Sequence, residues 1–350
     1  MKHLTGAMAI AMATATPMAA ETIDVTIVAG HPPIFIWVKN LTEAFIPAVD
    51  AALEGTGHSI DWNEAYGGSL AKPGGESDAV AAGLAQVAYN PTLFNPSLYP
   101  LQNVAYVAPF GTDDPRLAAQ IVTEIQAKTP AMMQAWADQD QVFLGGGFAI
   151  DSYHLFVTEP VNSVADMEGR RICAPGPTAN WIQGTGAAPV SSSLGEYYNS
   201  IQTGVCDGAV VFATAAAPAG IAEVAPYMIR VNFGAPFAAG LSANADFYED
   251  LPEEVRAALH AGADAFAEAM FSDQEDLIAG AYDKISADGG QIIDPSEEVR
   301  QEWAAALPAI PRDWAARQDA AGLPGTEVLS AYMDALRAAG ETPLRDWDKE

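Results

Sequence analysis

The chain has few residues of the kinds that carry covalent or metal chemistry, and their spacing is loose. Its cysteines are Cys173 and Cys206, and its histidines stand at positions 3, 31, 58, 154 and 260. Cys173 with His154 is the one pairing that could make an activated thiol, but nothing in the local sequence marks it. Ser191-Ser192-Ser193 precedes a predicted helix and reads as a loop with a helix cap rather than a nucleophile. No GxSxG, GxxxxGK[ST], HExxH or CxxC pattern occurs, and no GxGxxG lies between a strand and a helix. The sequence therefore implies no catalytic centre and no cofactor. It favours a protein that binds.

The residues that could contact a ligand are those just after predicted strands, where α/β proteins place their sites. These are His31, Asn90, Tyr153, Cys173 to Gly176 (with Pro175 among them), and Val211-Phe212. Lys72, in a Gly/Pro loop, is one of only 16 basic residues and is either a ligand contact or a solvated lysine. Trp37, Trp62 and Trp181 read as core aromatics.

The elements that must position these residues follow from the pattern. Residues 23–28 alternate as a strand, 35–53 carry apolar residues near helical spacing, and 60–62 read as a second strand. Residues 77–84 form a short helix and 86–89 a third strand. This β-α-β-α-β run implies a mostly parallel sheet covered on both faces. The pattern restarts after residue 140, with strands at 141–145, 153–157, 171–174 and 206–212 and a helix at 194–203. A second α/β lobe is expected. A long helical pattern then starts after Asp250, with Pro252, Glu253 and Glu254 in its first turn, and Gly289-Gly290 can end it. Unbroken, it would be about 55 Å long and could brace both lobes; Gly262 and Gly280 are its weak points. The expected division is lobe I over 21–146 plus about 235–270, and lobe II over 147–234 plus about 271–350.

Lys2 and His3, the uncharged run from 5 to 19, and Met18-Ala19-Ala20 have the form of a signal peptide cut after residue 20. Export to the periplasm and a mature chain without membrane insertion are expected. In an oxidising compartment Cys173 and Cys206 could form a disulfide. With 45 acidic residues the formal charge is −29, which disfavours nucleic acid and anionic lipid, since both are held by Lys/Arg clusters.

The segment from Val164 to Gly176, with Asp166, Met167, Gly169, Arg171, Ala174 and Pro175, resembles the signature of the DctP-type solute-binding proteins of TRAP transporters. So do Gly186-Ala187-Ala188-Pro189 and the block from Glu196 to Gly208, and Gly67-Gly68-Ser69-Leu70 with Glu76, and Tyr248 to Val255. The resemblance runs from about residue 23 to about 310. It implies a two-lobed periplasmic-binding-protein fold of class α/β, with mixed, mostly parallel sheets, hinge strands and a long helix spanning both lobes. It further implies a monomer that closes over a small molecule, usually an organic acid, and hands it to the membrane subunits of a TRAP transporter.

The departures from the family pattern concern the site. Where relatives carry an arginine that clamps the ligand carboxylate by paired hydrogen bonds, this chain has Cys173. Where some add a second arginine it has Tyr153, and a polar stretch near the end of the last strand is Ala209-Val210-Val211-Phe212. The expected ligand is accordingly a neutral or cationic small molecule. The rival is a carboxylate held instead by Arg171, Lys72 or His31. An exported enzyme or a sensor receptor on the same scaffold are further alternatives.

Overall fold

The computed structural model describes residues 21–174 and 176–350. The expected signal peptide lies outside them, as does Pro175. Among the described residues two sheets form. The first contains β1 (Glu21–Ala29), β2 (His58–Tyr66), β3 (Val87–Asn90), β4 (Gln141–Ala149) and, entering later in the chain, β10 (Phe237–Asn244). Its strand order is β2-β1-β3-β10-β4. β1 runs parallel to both β2 and β3, whereas β10 is antiparallel to β3 and β4. Alternation along β1 sends Val25, Ile27 and Ala29 into the main core. Val28 goes to the other face, where it meets Val80, Ala85 and Ala88. The sheet is thus covered on both sides.

The second sheet holds β5 (Tyr153–Val157), β6 (Arg171–Cys173), β7 (Ala188–Val190), β8 (Gly208–Phe212), β9 (Tyr227–Ile229) and β11 (Gln291–Ile293). Its order is β11-β9-β5-β8-β6-β7, with β5 antiparallel to both neighbours and the other pairs parallel. Five of the nine strand pairings in the two sheets are parallel, which makes both sheets mixed. The chain crosses from the first sheet to the second between β4 and β5, and returns between β9 and β10.

The helical stretch expected at 35–53 is continuous but not uniform. An α-helical turn at Ile36–Asn40 passes through a π turn at Leu41–Phe45 into the helix Ile46–Leu53. Pro47, which lacks an N–H, sits where the π turn gives way to the α-helix.

The long helix is unbroken over Glu253–Ala287, 35 residues, or about 52 Å at 1.5 Å per residue. Its first half lies on the helix Ile46–Leu53 and on β4, and its second half reaches the helical turn Ala213–Ala216 and β11. It braces both lobes. Gly262 is tolerated there because a side chain would collide: a Cβ would lie 2.4 Å from Val49 and 3.0 Å from Phe45. Two polar contacts anchor the helix further along, Gln274 Nε2 donating to the Ala149 carbonyl (3.0 Å) and Tyr282 OH meeting His154 Nε2 (2.9 Å).

The C-terminal helices Glu297–Ala306, Ile310–Ala320 and Gly325–Ala338 touch both halves of the chain. The last packs on Val104–Val107 and Pro115–Lys128. Trp303 donates to the Trp181 carbonyl and Trp347 to that of Pro109. No helix among the described residues is long and apolar enough to cross a membrane.

Candidate ligand-binding cleft

The loops that follow β1, β2 and β3 gather at one edge of the first sheet. Gly30 has no space for a side chain, since a Cβ would lie 2.2 Å from Pro73 N and 2.4 Å from Lys72 C. The 72–75 loop therefore rests directly on the residue before His31. Glu76 fastens the contact: Gly30 N–H donates to its Oε1 (2.8 Å) and Gly74 N–H to its Oε2 (2.6 Å). Gly67 N–H donates to the His31 carbonyl (3.0 Å), and Asn95 Nδ2 donates to the Gly74 carbonyl (2.8 Å).

An aromatic wall stands on this edge. The His31 ring lies 5.5 Å from Phe35, 5.5 Å from Trp37 and 5.9 Å from Phe94, and Phe35 stacks on Trp37 at 4.6 Å. Trp37 continues the wall inward to Tyr89 and Phe148. His31 Nδ1 and Trp37 Nε1 are both buried without a hydrogen-bond partner among the described residues. Burial pushes the His31 pKa down to about 4, so the ring is neutral near pH 7. Ile34 is exposed to 78%, and Leu70 and Phe94 are also exposed, so the rim is apolar. Lys72 is exposed and makes no ion pair among the described residues.

The second lobe meets this wall through the turn Gly176–Ile182, which packs against Thr92–Phe94. Behind it, Tyr153 and Phe212 are opposite each other in register with rings 5.0 Å apart, and Tyr153 also meets Trp181 at 5.2 Å. Val211 is opposite His154 and fully buried. Strand alternation turns that pair away from Tyr153 and Phe212, toward the long helix that Tyr282 occupies. Asp151, in the link from β4 to β5, is buried and accepts hydrogen bonds from the Thr214 amide (3.2 Å) and hydroxyl. Burial raises its pKa to about 6.

The other sequence-nominated residues are placed elsewhere. Cys173 is fully buried and forms a disulfide with Cys206, which leaves no thiol to pair with His154. Arg171 stands at the opposite end of β6. Its guanidinium holds Asp207 through Nε (3.2 Å) and NH2 (2.8 Å), while its backbone N–H donates to the same carboxylate (2.8 Å). Asn90 is buried in a polar network, its Nδ2 donating to Tyr99 OH (3.0 Å) and Gln141 Oε1 (3.1 Å). Ser193 caps the turn Leu194–Glu196 through a reciprocal pairing with Glu196. Of the tryptophans, Trp181 is buried and donates to the Tyr106 carbonyl, whereas Trp62 reaches the exposed Asp50.

The structure thus brings His31 and Lys72 together on one wall and Tyr153 and Phe212 together behind the other. The sequence reading missed Phe35, Phe94, Asp151 and the burial of Glu76. Glu76 was visible only as part of a family block. An isolated acid after two glycines carries no sign of being buried until the fold places Gly30 against it.

A two-lobed shell with an aromatic wall at its strand ends suits a binding protein, and the comparison with known families decides which kind. The model of the bacterial extracellular solute-binding proteins of family 7, DctP, matches residues 43–318. The chain belongs to the DctP family of TRAP-transporter solute-binding proteins. This DctP-family chain is 27% identical over 184 residues to the ectoine-binding periplasmic protein TeaA of Halomonas elongata. The match takes in 51% of the chain and 53% of TeaA, about half the length of that relative. A marine-metagenome TRAP solute-binding protein specific for aromatic acid ligands, solved with metahydroxyphenylacetate, superposes with a TM-score of 0.79 at 19% identity. It covers 91% of this chain and 100% of its own. A TRAP solute-binding protein from Chromohalobacter salexigens with bound D-glucuronate gives 0.76 at 21% identity, covering 89% and 99%. At those identities the solved structures establish the shared fold. Family and structural neighbours are binding proteins.

Proposed function

We propose that this protein is a periplasmic receptor that captures a small organic ligand between its lobes and delivers it to TRAP-type membrane subunits, and that the ligand is a compact neutral or cationic amine or heterocycle. The observation that carries the ligand reading is the Cys173–Cys206 bond. Position 173 is where the family resemblance puts the carboxylate-clamping arginine, and its side chain here is covalently engaged and fully buried. Arg171 is engaged with Asp207, and His31 is held neutral. A carboxylate drawn into this cleft would lose water without gaining a guanidinium fork, at a cost of several kcal/mol. The rings of His31, Phe35, Trp37 and Phe94 instead suit a flat or cationic ligand. Native mass spectrometry of the purified protein, then denaturation to release the bound molecule, tests this. Recovery of an amine or heterocycle without a clamped carboxylate supports it, and recovery of a simple organic acid overturns it.

A second reading rests on Lys72. It makes no ion pair among the described residues and its loop abuts Gly30, so it could supply one positive charge to an organic acid. Solved neighbours whose ligands are D-glucuronate or aromatic acids lend this reading support. Thermal-shift screening separates the two: acids that stabilise the wild type but not Lys72→Met would favour it.

A further inference from the structure

The C-terminal segment after the last helix bears on the place where the chain crosses between the lobes. The crossings form a short ladder. Ile150 N–H donates to the Pro236 carbonyl (3.3 Å), Phe233 N–H to that of Tyr153 (3.0 Å) and Tyr153 N–H to that of Gly234 (3.2 Å). A third stretch, Phe110–Thr112, joins them: Phe110 N–H donates to the Phe233 carbonyl (2.6 Å) and Ala235 N–H to that of Thr112 (2.8 Å). Movement of one lobe against the other bends these stretches. The C-terminal segment sits on the third of them. Thr112 Oγ1 donates to Glu341 Oε1 (2.7 Å), Leu344 N–H to the Phe110 carbonyl (3.4 Å) and Trp347 Nε1 to that of Pro109 (2.7 Å), with Trp347 itself buried. Between those anchors Arg345 reaches the other way. Its NH1 donates to the carbonyls of Ala304 (2.9 Å) and Leu307 (2.6 Å), at the end of the helix Glu297–Ala306. That helix is tied to the second lobe, because Trp303 donates to the Trp181 carbonyl and Arg300 Nε to that of Val231 (3.1 Å). Resting on the reading of the protein as a receptor that closes over its ligand, we propose that residues 341–347 are a strap across the hinge that restrains how far the lobes part.

Three features separate this from the ordinary packing of a chain end. The first is its two-sided attachment. Arg337, on the last helix, pairs with Asp346 (2.9 Å) and Asp348 (2.6 Å) of the segment, and that helix packs on Val104–Val107 and Pro115–Lys128, on either side of the Phe110–Thr112 stretch. Arg345, whose guanidinium lies 4.2 Å over the Trp347 ring, holds the opposite side. The second is strain. Phe110 (φ 62°) and Asn232 (φ 54°) are both left-handed, a conformation that a bulky phenylalanine rarely adopts. Such conformations persist only where their surroundings fix them. Phe110 is fixed from both sides, its N–H by Phe233 and its carbonyl by Leu344 of the strap. The third is space. A cavity of about 470 Å³ is lined by Thr112, Asn232 and Arg300 on the hinge side and by Glu341 and Leu344 of the strap. The strap therefore meets the hinge through a few hydrogen bonds and the Trp347 ring rather than through a continuous core, and each of those anchors can be removed singly.

Double electron–electron resonance on the purified, ligand-free protein tests this. Nitroxides at Asp61→Cys on β2 and Gln202→Cys on the helix Tyr197–Gln202, both exposed positions, report the distance between the lobes. Cys173 and Cys206 are the chain's own cysteines and take no label while bonded to each other. In this background Glu341→Ala and Trp347→Ala should each widen the distance distribution and add a component at longer distance. Glu341→Gln, which still accepts from Thr112, should match the parent. A segment that only adds stability would, when weakened, lower the Tm and leave the distribution where it was. Unchanged distributions in both alanine variants therefore overturn the inference, whatever their Tm. Should Trp347→Ala not fold, Glu341→Ala decides by itself. The readout does not depend on the ligand's chemistry: an organic acid recovered by native mass spectrometry would overturn the amine reading and leave the strap standing.

Discussion

Cys173 is bonded to Cys206 with 5.8 Å between their Cα atoms, and the bridge joins the end of β6 to the turn that precedes β8. Both residues are buried, so the link belongs to the second lobe's core. In the chain-entropy view, closing a loop of separation 33 stabilises the fold by about 3–4 kcal/mol. The double variant Cys173→Ala/Cys206→Ala should lose about that much in guanidinium unfolding, and dithiothreitol should lower the wild-type Tm but not the variant's. An equal Tm with and without reductant in the wild type would mean the bridge contributes nothing.

Arg171 and Asp207 form a bidentate pair whose side chains are 49% and 32% exposed. Solvent screening limits such a pair to about 1 kcal/mol or less. Arg171→Ala should therefore cost at most that in stability and leave the affinity for the recovered ligand unchanged. A tenfold loss of affinity by calorimetry would put Arg171 in the binding site and revive the rebuilt anion clamp.

Much of this was legible in the amino-acid sequence because it is written in short-range patterns. The alternation of residues 23–28, the βαβ rhythm and the three- and four-residue steps after Val255 all became the expected elements. β10 was not legible. Phe237–Asn244 is buried at every position, so it has no polar face to alternate, and its Ala and Gly residues are poor strand formers. That strand closes the first sheet between β3 and β4, and missing it hides how the chain returns to lobe I. The site was half legible for a related reason. Strand ends nominated His31 and Tyr153, but only the fold reveals that Asn90 turns into the Tyr99–Gln141 network and that Gly30 seats the loop held by Glu76.

Two glycines of the long helix make opposite predictions. A side chain at Gly262 would lie 2.4 Å from Val49, whereas one at Gly280 would meet nothing within 4 Å. Gly280→Ala should stabilise by about 0.5–1 kcal/mol through helix propensity. Gly262→Val should destabilise by about 1–3 kcal/mol through overpacking of the helix against Phe45 and Val49. Equal effects of the two in urea unfolding would show that the brace does not pack closely on the first lobe.

His154 supplies a pH-dependent prediction with a definite sign. Burial, with help from Arg230 and Arg300, lowers its pKa from 6.5 to about 3, while Nε2 pairs with Tyr282 OH at 2.9 Å. A histidine whose folded value is depressed contributes stability above pH 6.5 that is lost as pH falls from there toward about 3. Glu76 and Asp151, both raised by burial, act in the opposite sense over roughly the same range, so the wild-type profile alone does not isolate the effect. The difference from a variant does. His154→Gln keeps a polar group for Tyr282 and should cost about 1 kcal/mol at pH 8. From pH 8 to about pH 5 the wild type should lose about 2 kcal/mol as the unfolded chain's histidine takes up its proton, a loss the variant does not share, so the order of stability should reverse. Guanidinium unfolding of both proteins at pH 8 and pH 5 measures this directly, and a gap that stays constant would mean that His154 accepts a proton in the folded state as readily as in the unfolded chain.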